Sequence, residues 1–348
     1  MAKKDIRKQS LEQLKAYFTE NGEKAFRAMQ VWEWLWQKSA KTFDEMSNLS
    51  KALRDRLSED FEILPITIDT SQKSNDGTIK SAFKLFDGEI IEGVLIPADD
   101  RMTACVSSQV GCSLTCKFCA TGYMDRKRNL DPAEIYDQVV AIDAQAKKAF
   151  NLPLSNIVYM GMGEPLLNYA NVLASIDRIT SEDGLNMSPK RITVSTAGIA
   201  KMIKKLADDD VKFNLALSLH AADDMKRNQI MPINESNTLE ALKEALIYFY
   251  EKTQNKITFE YILFYNFNDT LEDAENLLKF CKQIPSKINI IEYNPIAEAS
   301  FKNTEEDRLE KFANYLKRNK VTVNVRRSRG KDIDAACGQL ANKNKSVA

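Results

Sequence analysis

Apolar positions in the first 60 residues recur at intervals of three and four: Leu11, Leu14 and Phe18, then Val31, Trp32, Leu35 and Trp36. That is the stripe of an amphipathic helix. Ser50 stands just before the run 51–57 and predicts an N-cap. The tryptophans could form a stacking platform for bases, but at this spacing they read first as buried core. A small helical domain over 1–62 is expected. Over 63–97 the period shortens, and Pro65, Asn75-Asp76-Gly77 and Asp87-Gly88 punctuate the β-rich runs 81–86 and 89–96. These predict hairpin strands in a β-rich linker.

From residue 98 strands and helices alternate. Strands are predicted at 103–107, 156–160, 191–195, 212–219, 257–264, 287–292 and 321–325, with helices near 132–148, 170–182, 199–208, 238–253, 270–283 and 305–318. Asp131 as N-cap, Pro132 at the first helical position and Glu134 three residues after the cap mark the first of these helices. Such alternation, with largely apolar strands, means parallel pairing in right-handed βαβ units. The fold class is α/β: six or so units in an open or partial barrel over 98–340, then a polar tail at 341–348. The pattern does not give strand order, so an open doubly wound sheet also fits.

Composition narrows the function classes. The 348 residues carry 49 Lys+Arg against 49 Asp+Glu. A neutral chain is neither a globally basic nucleic-acid coat nor a highly charged disordered tail. The charge is uneven, however: residues 311–348 hold ten Lys/Arg and two acids, net +8, leaving −8 on the first 310. No apolar signal segment follows the N terminus, and no run approaches the roughly 18 residues of a membrane span. A cytoplasmic setting without a membrane is expected. There the six cysteines (105, 112, 116, 119, 281, 337) read as thiols, metal ligands or catalytic groups. A single histidine, His220, leaves little scope for His-rich metal sites.

Three of the cysteines, Cys112, Cys116 and Cys119, lie within eight residues just past the first barrel strand. Thiolates are the preferred ligands of iron–sulfur clusters. A compact loop can place three sulfurs on three corners of one cubane, and without a fourth cysteine nearby one iron stays open for a small molecule. A zinc site completed by a distant cysteine is the alternative, less favoured because short zinc motifs usually come as paired CxxC knuckles. Placed after the first strand of a partial βα barrel, the motif resembles the radical S-adenosylmethionine superfamily, whose open iron binds the methionyl amine and carboxylate. Gly161-Met162-Gly163-Glu164-Pro165 is similar to that superfamily's Gly-Glu-Pro motif after the second strand.

Longer stretches are closer still. Segments 26–35, 105–112, 160–168, 191–198, 215–221 and 332–340 resemble, in order and over essentially the whole chain, the RlmN-type RNA methyltransferases. The resemblance implies a radical SAM barrel with a helical N-terminal domain. It implies methylation of carbon 2 of an adenine in 23S ribosomal RNA at the peptidyl transferase centre, and of the adenine just 3′ of the anticodon in tRNA. The implied cofactors are a 4Fe-4S cluster on Cys112, Cys116 and Cys119, and S-adenosyl-L-methionine contacted by Gly163, Glu164, Ser195, Ser218, Leu219, His220 and Asn294. Cys337 would carry the methyl group, Cys105 would resolve it through a disulfide, and Glu92, beside the less typical Gly93, would accept the C2 proton. The implied partners are 23S rRNA, tRNA and an electron donor such as flavodoxin or ferredoxin, acting on a monomer. The loop 264–270 departs from the family pattern and is given no role.

The implied chemistry suits the target. Carbon 2 of adenine is electrophilic and bears an unreactive C–H, so direct methyl transfer is prohibitive. A methyl placed on Cys337, activated by a 5′-deoxyadenosyl radical, added to the ring and released when Cys105 attacks Cys337 divides the problem into accessible steps. The base must be unstacked to enter.

The candidate residues Cys112, Gly163, Glu164, Ser195, Ser218, Asn294 and Cys337 each fall at or past the C-terminal end of a predicted strand. That face carries the active site in βα barrels. Arg326, Arg327, Arg329 and Lys331 near Cys337, with Lys117, Arg126, Lys127 and Arg128 about the cysteine loop, predict a positive rim for RNA phosphates. A solvated surface is the plainer reading of the same charges. Cys281 reads as core, and His220 also fits a satisfied core histidine. Two rival functions remain. One is the related adenine-C8 methyltransferase of the antibiotic-resistance type, from which Pro165, the 26–35 block and Gln109-Val110-Gly111 point away; the other is a zinc-stabilised RNA-binding protein without catalysis.

Overall fold

The structure is a computed structural model describing residues 3–342. Residues 343–348, with Lys343, Lys345 and most of the polar tail, lie outside the described residues. Helices α1 (Leu11–Glu20), α2 (Phe26–Trp36) and α3 (Lys51–Asp60) open the chain. Ser10 and Gln13 close a capping box on α1, and Ser50 Oγ accepts from Leu53 N at the start of α3. Trp32 and Trp36 are buried, Trp36 edge-on to Tyr136 at 5.1 Å, so the tryptophans are core and not a base platform. Buried Arg7 ties this region to the barrel, bonding Asp5 at 3.0 Å and Asp137 at 2.8 Å.

One ten-stranded sheet follows: β1 (Thr67–Lys73), β2 (Ile79–Lys84) and β3 (Ile90–Ala98), then β4 (Arg101–Cys105), β5 (Asn156–Tyr159), β6 (Ile192–Thr196), β7 (Asn214–Ser218), β8 (Ile257–Ile262), β9 (Ser286–Ile291) and β10 (Thr322–Arg326). β1 to β4 form an antiparallel meander, and β4 to β10 are parallel. Spatial order follows chain order without reversal. A doubly wound sheet reverses at a switch point, so this sheet is wound in one sense only. β10 does not pair back onto β4, which makes the barrel partial.

Between the strands run α4 (Pro132–Phe150), α5 (Tyr169–Thr180), α6 (Ala200–Asp208), α7 (Asp224–Ile230), α8 (Leu239–Thr253), α9 (Leu271–Cys281) and α10 (Glu306–Arg318). Each strand and barrel helix expected from the sequence ends within two residues of its observed bounds. Among the elements that were not expected are two of the longer ones. β1 is a polar, largely exposed edge strand, and α7 is only seven residues long. Ile157, Val194, Leu215, Leu217, Phe259 and Ile288 fill the layer between sheet and helices. Among the described residues no helix is long and apolar enough to cross a membrane.

Candidate active site

Because β4 to β10 run parallel, their C-terminal ends share one edge. Cys105 ends β4, Ser195 is next to last in β6, and Ser218 ends β7. Gly163 and Glu164 follow β5, Leu219 and His220 follow β7, Asn294 follows β9, and Cys337 follows β10. Ser195 Oγ and Ser218 Oγ stand 3.4 Å apart. Antiparallel pairing of Val94 with Cys105 carries Glu92 past the end of β4 to the same edge, where Ser107 Oγ donates to the Glu92 carbonyl at 2.6 Å.

The cysteine loop is locked onto its neighbours by residues with no chemical signature of their own. Gln109 accepts from Glu164 N at 2.9 Å and donates to Asn129 Oδ1. Asn168 Nδ2 donates to the carbonyls of Ser108 and Leu130, and Ser107 Oγ accepts from Met162 N. Gly163, at φ +94°, approaches so closely that a β-carbon would lie 2.5 Å from Gln109 Cβ. At Gly111, φ +73°, one would lie 2.2 Å from the Asp125 carbonyl oxygen. The sequence reading gave Ser107 and Asn168 no part, and used Gln109 only to separate C2 from C8 enzymes.

Burial fixes the electrostatics of the cysteine trio. It pushes the Cys112 thiol up to about 12 and raises Cys116 and Cys119, with thiolate repulsion adding at Cys112 and Cys116. Glu164 is buried between β5 and β6; its Oε1 accepts from Leu166 N and its Oε2 from Ala197 N at 2.8 Å. Burial raises this carboxyl above its ordinary range. His220 adopts φ +56°, its Nδ1 accepts from Ile262 N at 3.1 Å, and its ring meets Phe118 edge-on. Burial, with Arg227 adding, pushes the imidazole down to about 3, so it is neutral. Asn294 Nδ2 donates to the Cys337 carbonyl, while its buried Oδ1 has no partner. Glu260 of β8, to which the sequence reading assigned nothing, accepts from Asn289 Nδ2 through Oε1 and leaves Oε2 buried and unpartnered.

Two of the three cysteines outside the loop, Cys105 and Cys337, come together here. Cys105 is buried and Cys337 is exposed, both as free thiols. Each is pushed up to about 12, chiefly by desolvation. Cys337 is reachable by solvent yet ringed by protein atoms, with Cys119 and Glu260 raising it further and Arg326 opposing. Cys105 feels Cys337 and, in the opposite sense, Arg326. Glu92, almost wholly buried, receives Ala341 N at 2.8 Å and Asn342 N at 3.1 Å on Oε2, with Lys80 Nζ 3.5 Å from Oε1. Cys281, by contrast, is buried in α9 and interacts with Ser286, in accord with the core reading.

The comparisons with known proteins bear on this arrangement directly. Residues 5–63 match the ribosomal RNA large subunit methyltransferase N-terminal domain, and residues 106–281 match the radical SAM superfamily. The Cytophaga hutchinsonii protein named probable dual-specificity RNA methyltransferase RlmN is 65% identical over 97% of this chain and 93% of its own length. The chain belongs to the RlmN family. The RlmN protein of Geobacter sulfurreducens is 43% identical over 97% of this chain and 92% of its own. A crystal structure of a radical SAM methyltransferase from Sphaerobacter thermophilus, 37% identical, matches with a TM-score of 0.91 over 97% of this chain and 99% of that one. RlmN enzymes are radical SAM RNA methyltransferases, and the family uses a 4Fe-4S cluster with S-adenosylmethionine.

The residues present fit those cofactors. Buried thiols at these values stay protonated until a metal centre displaces the protons. Three thiols within one short loop are the donor set that an iron–sulfur cluster takes. The unpaired acceptors of Asn294 and Glu260 suit a cationic ligand carrying N–H and O–H donors, which adenosylmethionine is. Three arginines of the expected RNA rim already meet acids within the protein. Arg326, at the end of β10, lies 3.9 Å from Glu260, and Arg327, just past it, pairs with Glu306. Arg128 is held by Asp87 and Glu134, so its charge is already partnered.

Proposed function

We infer that this RlmN-family enzyme methylates carbon 2 of adenine in both 23S rRNA and tRNA. The observation that supports this reading is the meeting of an exposed and a buried thiol, Cys337 and Cys105, beside the three-cysteine loop. When bound, the cluster on Cys112, Cys116 and Cys119 supplies the single electron that cleaves adenosylmethionine. Gly163, Glu164, Ser195, Ser218 to His220 and Asn294 line the edge where that substrate would lie. Cys337, the accessible thiol, loses its proton and takes the methyl group of one adenosylmethionine, whose sulfur leaves as the thioether; Arg326 offsets the charge of the Cys337 thiolate, and Asn294 holds its carbonyl. Glu92 accepts the C2 proton once the 341–342 backbone, which now occupies its Oε2, moves aside. Cys105, losing its proton, then bonds to the Cys337 sulfur; the Cys337–carbon bond breaks, its electron pair and one proton staying on the carbon as the methyl group, and an external thiol reductant reopens the disulfide. Residues 1–62 act as an accessory domain, 63–97 as a linker and 98–340 as the catalytic barrel. A flavodoxin or ferredoxin serves as electron donor to a cytoplasmic monomer.

The position of the methyl group tests this reading. After anaerobic turnover with rRNA and tRNA, nuclease digestion and mass spectrometry should yield 2-methyladenosine from both substrates. 8-Methyladenosine, or no methylated adenosine, would overturn it.

A further inference from the structure

Arg227 of α7 is fully buried, yet among the described residues no carboxylate stands within ion-pair distance of it. Its guanidinium donates instead to neutral acceptors: Nε to the Leu219 carbonyl at 3.0 Å, Nη1 to Asn234 Oδ1 at 2.6 Å, and Nη2 to the carbonyls of Ala197 at 2.6 Å and Ser218 at 3.2 Å. Asp224, an acid whose charge acts on Arg227 from beyond that distance, is engaged elsewhere, accepting from Asn234 Nδ2 and Leu239 N. Burial pulls Arg227 down to about 10, so it remains a cation at neutral pH. An interior cation without a counter-charge is costly and calls for an explanation.

The explanation lies across the interface with the cysteine loop. Lys117 N donates to the Ile230 carbonyl of α7 at 2.9 Å. Cys116 packs in one apolar cluster with Ala197, Ala221, Ile230 and Met231. Arg227 and Cys116 are within Coulomb range of each other. The missing negative charge therefore appears when the three cysteines become thiolates on a metal centre.

We propose that Arg227 is the resident counter-cation of the cluster, placed so that it favours the reduced, more negative state. The proposal rests on the reading that Cys112, Cys116 and Cys119 hold a 4Fe-4S cluster. One electron from the external donor enters the cluster and no proton moves, so reduction adds one unit of negative charge in a low-dielectric region. A fixed positive charge there stabilises the reduced form more than the oxidised one and raises the potential. Arg227 is a positioning residue as well, since its donors brace the carbonyls of Ala197, Ser218 and Leu219 at the mouth.

The test is a redox titration of the reconstituted protein, without RNA or adenosylmethionine, followed by electron paramagnetic resonance alongside iron and sulfide content. Arg227→Gln should lower the midpoint potential, reducing the ratio of reduced to oxidised cluster at fixed solution potential by roughly tenfold or more, about 59 mV for one electron. Arg227→Lys, which keeps the charge but loses most of the brace, should stay near wild type. Equal shifts in both variants, or a shift in neither, would overturn the proposal. Should the Gln variant not fold, Asp224→Asn carries the test: removing the acid that offsets the Arg227 charge should raise the potential, and an unchanged value overturns the proposal. Absence of a cluster from the wild-type protein overturns both the site reading and this inference, whereas a cluster whose potential ignores position 227 overturns the inference alone.

Discussion

A thiol held near 12 is a poor nucleophile at neutral pH, and Cys105 and Cys337 both start from there. What separates them is access. Cys337 is exposed and can meet adenosylmethionine and an incoming base, while Cys105 is buried at the end of β4 and can act only on a sulfur already beside it. The open thiol therefore acts first and the buried one last. Cys105→Ala should methylate Cys337, add the carbon to the base and stall as a covalent protein–RNA complex joined through Cys337. Cys337→Ala should give neither a methylated protein nor a complex. Denaturing mass spectrometry after turnover reads both outcomes; a methyl on Cys105, or full turnover by Cys105→Ala with no complex, would reverse the roles. The sequence displayed these cysteines because sulfur is rare and its spacing carries chemistry. Glu260 and Arg227 stayed hidden, since one acid in an apolar strand or one arginine in a short helix has no meaning until burial and missing partners are known.

At the scale of elements, the segment that carries Cys337 is short of regular structure and held by distant groups. Asp332 accepts from Ser74 Oγ at 2.5 Å and Asn75 N at 3.1 Å, while Asp76 Oδ2 accepts from Gly330 N at 2.9 Å. Farther on, Ala120 N donates to the Gly338 carbonyl at 2.7 Å and Thr121 Oγ1 to the Leu340 carbonyl at 2.6 Å. The turn between β1 and β2 thus clasps one end of the segment, and the cysteine loop clasps the other. Asn75-Asp76-Gly77 announced a turn in the sequence, but its second task joins residues 257 or 258 apart, which no local pattern encodes. Asp332→Ala removes two of the three bonds at the first clasp and leaves only Gly330 N to Asp76. Asp332 is exposed, so solvent screens these bonds and they hold the segment rather than the fold. The expected result is faster amide exchange confined to the 328–342 segment, slower turnover and an unchanged thermal transition of the barrel. Exchange rates that match wild type throughout would show that the clasp does not hold the segment.

For the molecule as a whole, strand and helix positions were legible because apolar periodicity is local, whereas winding was not, because strand order depends on which faces meet after collapse. Acid stability is another property of the whole fold, and here it has an identifiable source. His220 is the only histidine, and burial with the nearby Arg227 charge pushes it from 6.5 to about 3. A base whose folded value is depressed is neutral in the fold but binds a proton in the unfolded chain below about 6.5. The unfolded state then takes up more protons, so its contribution to stability is present above about 6.5 and is lost as pH falls toward 3. Between pH 7 and pH 5 the loss from this one group is about 2 kcal/mol. Glu164 and Glu260, raised by burial, work in the opposite direction, so the total slope is mixed and the difference between variants isolates the histidine. His220→Asn is the informative change. Asparagine tolerates the left-handed backbone at φ +56°, and its Oδ1 can accept from Ile262 N in place of Nδ1. Denaturant unfolding at a series of pH values should show the variant less stable at pH 7 yet losing less stability on acidification, so the two curves converge toward pH 5. Parallel curves would mean that the buried imidazole is not what titrates.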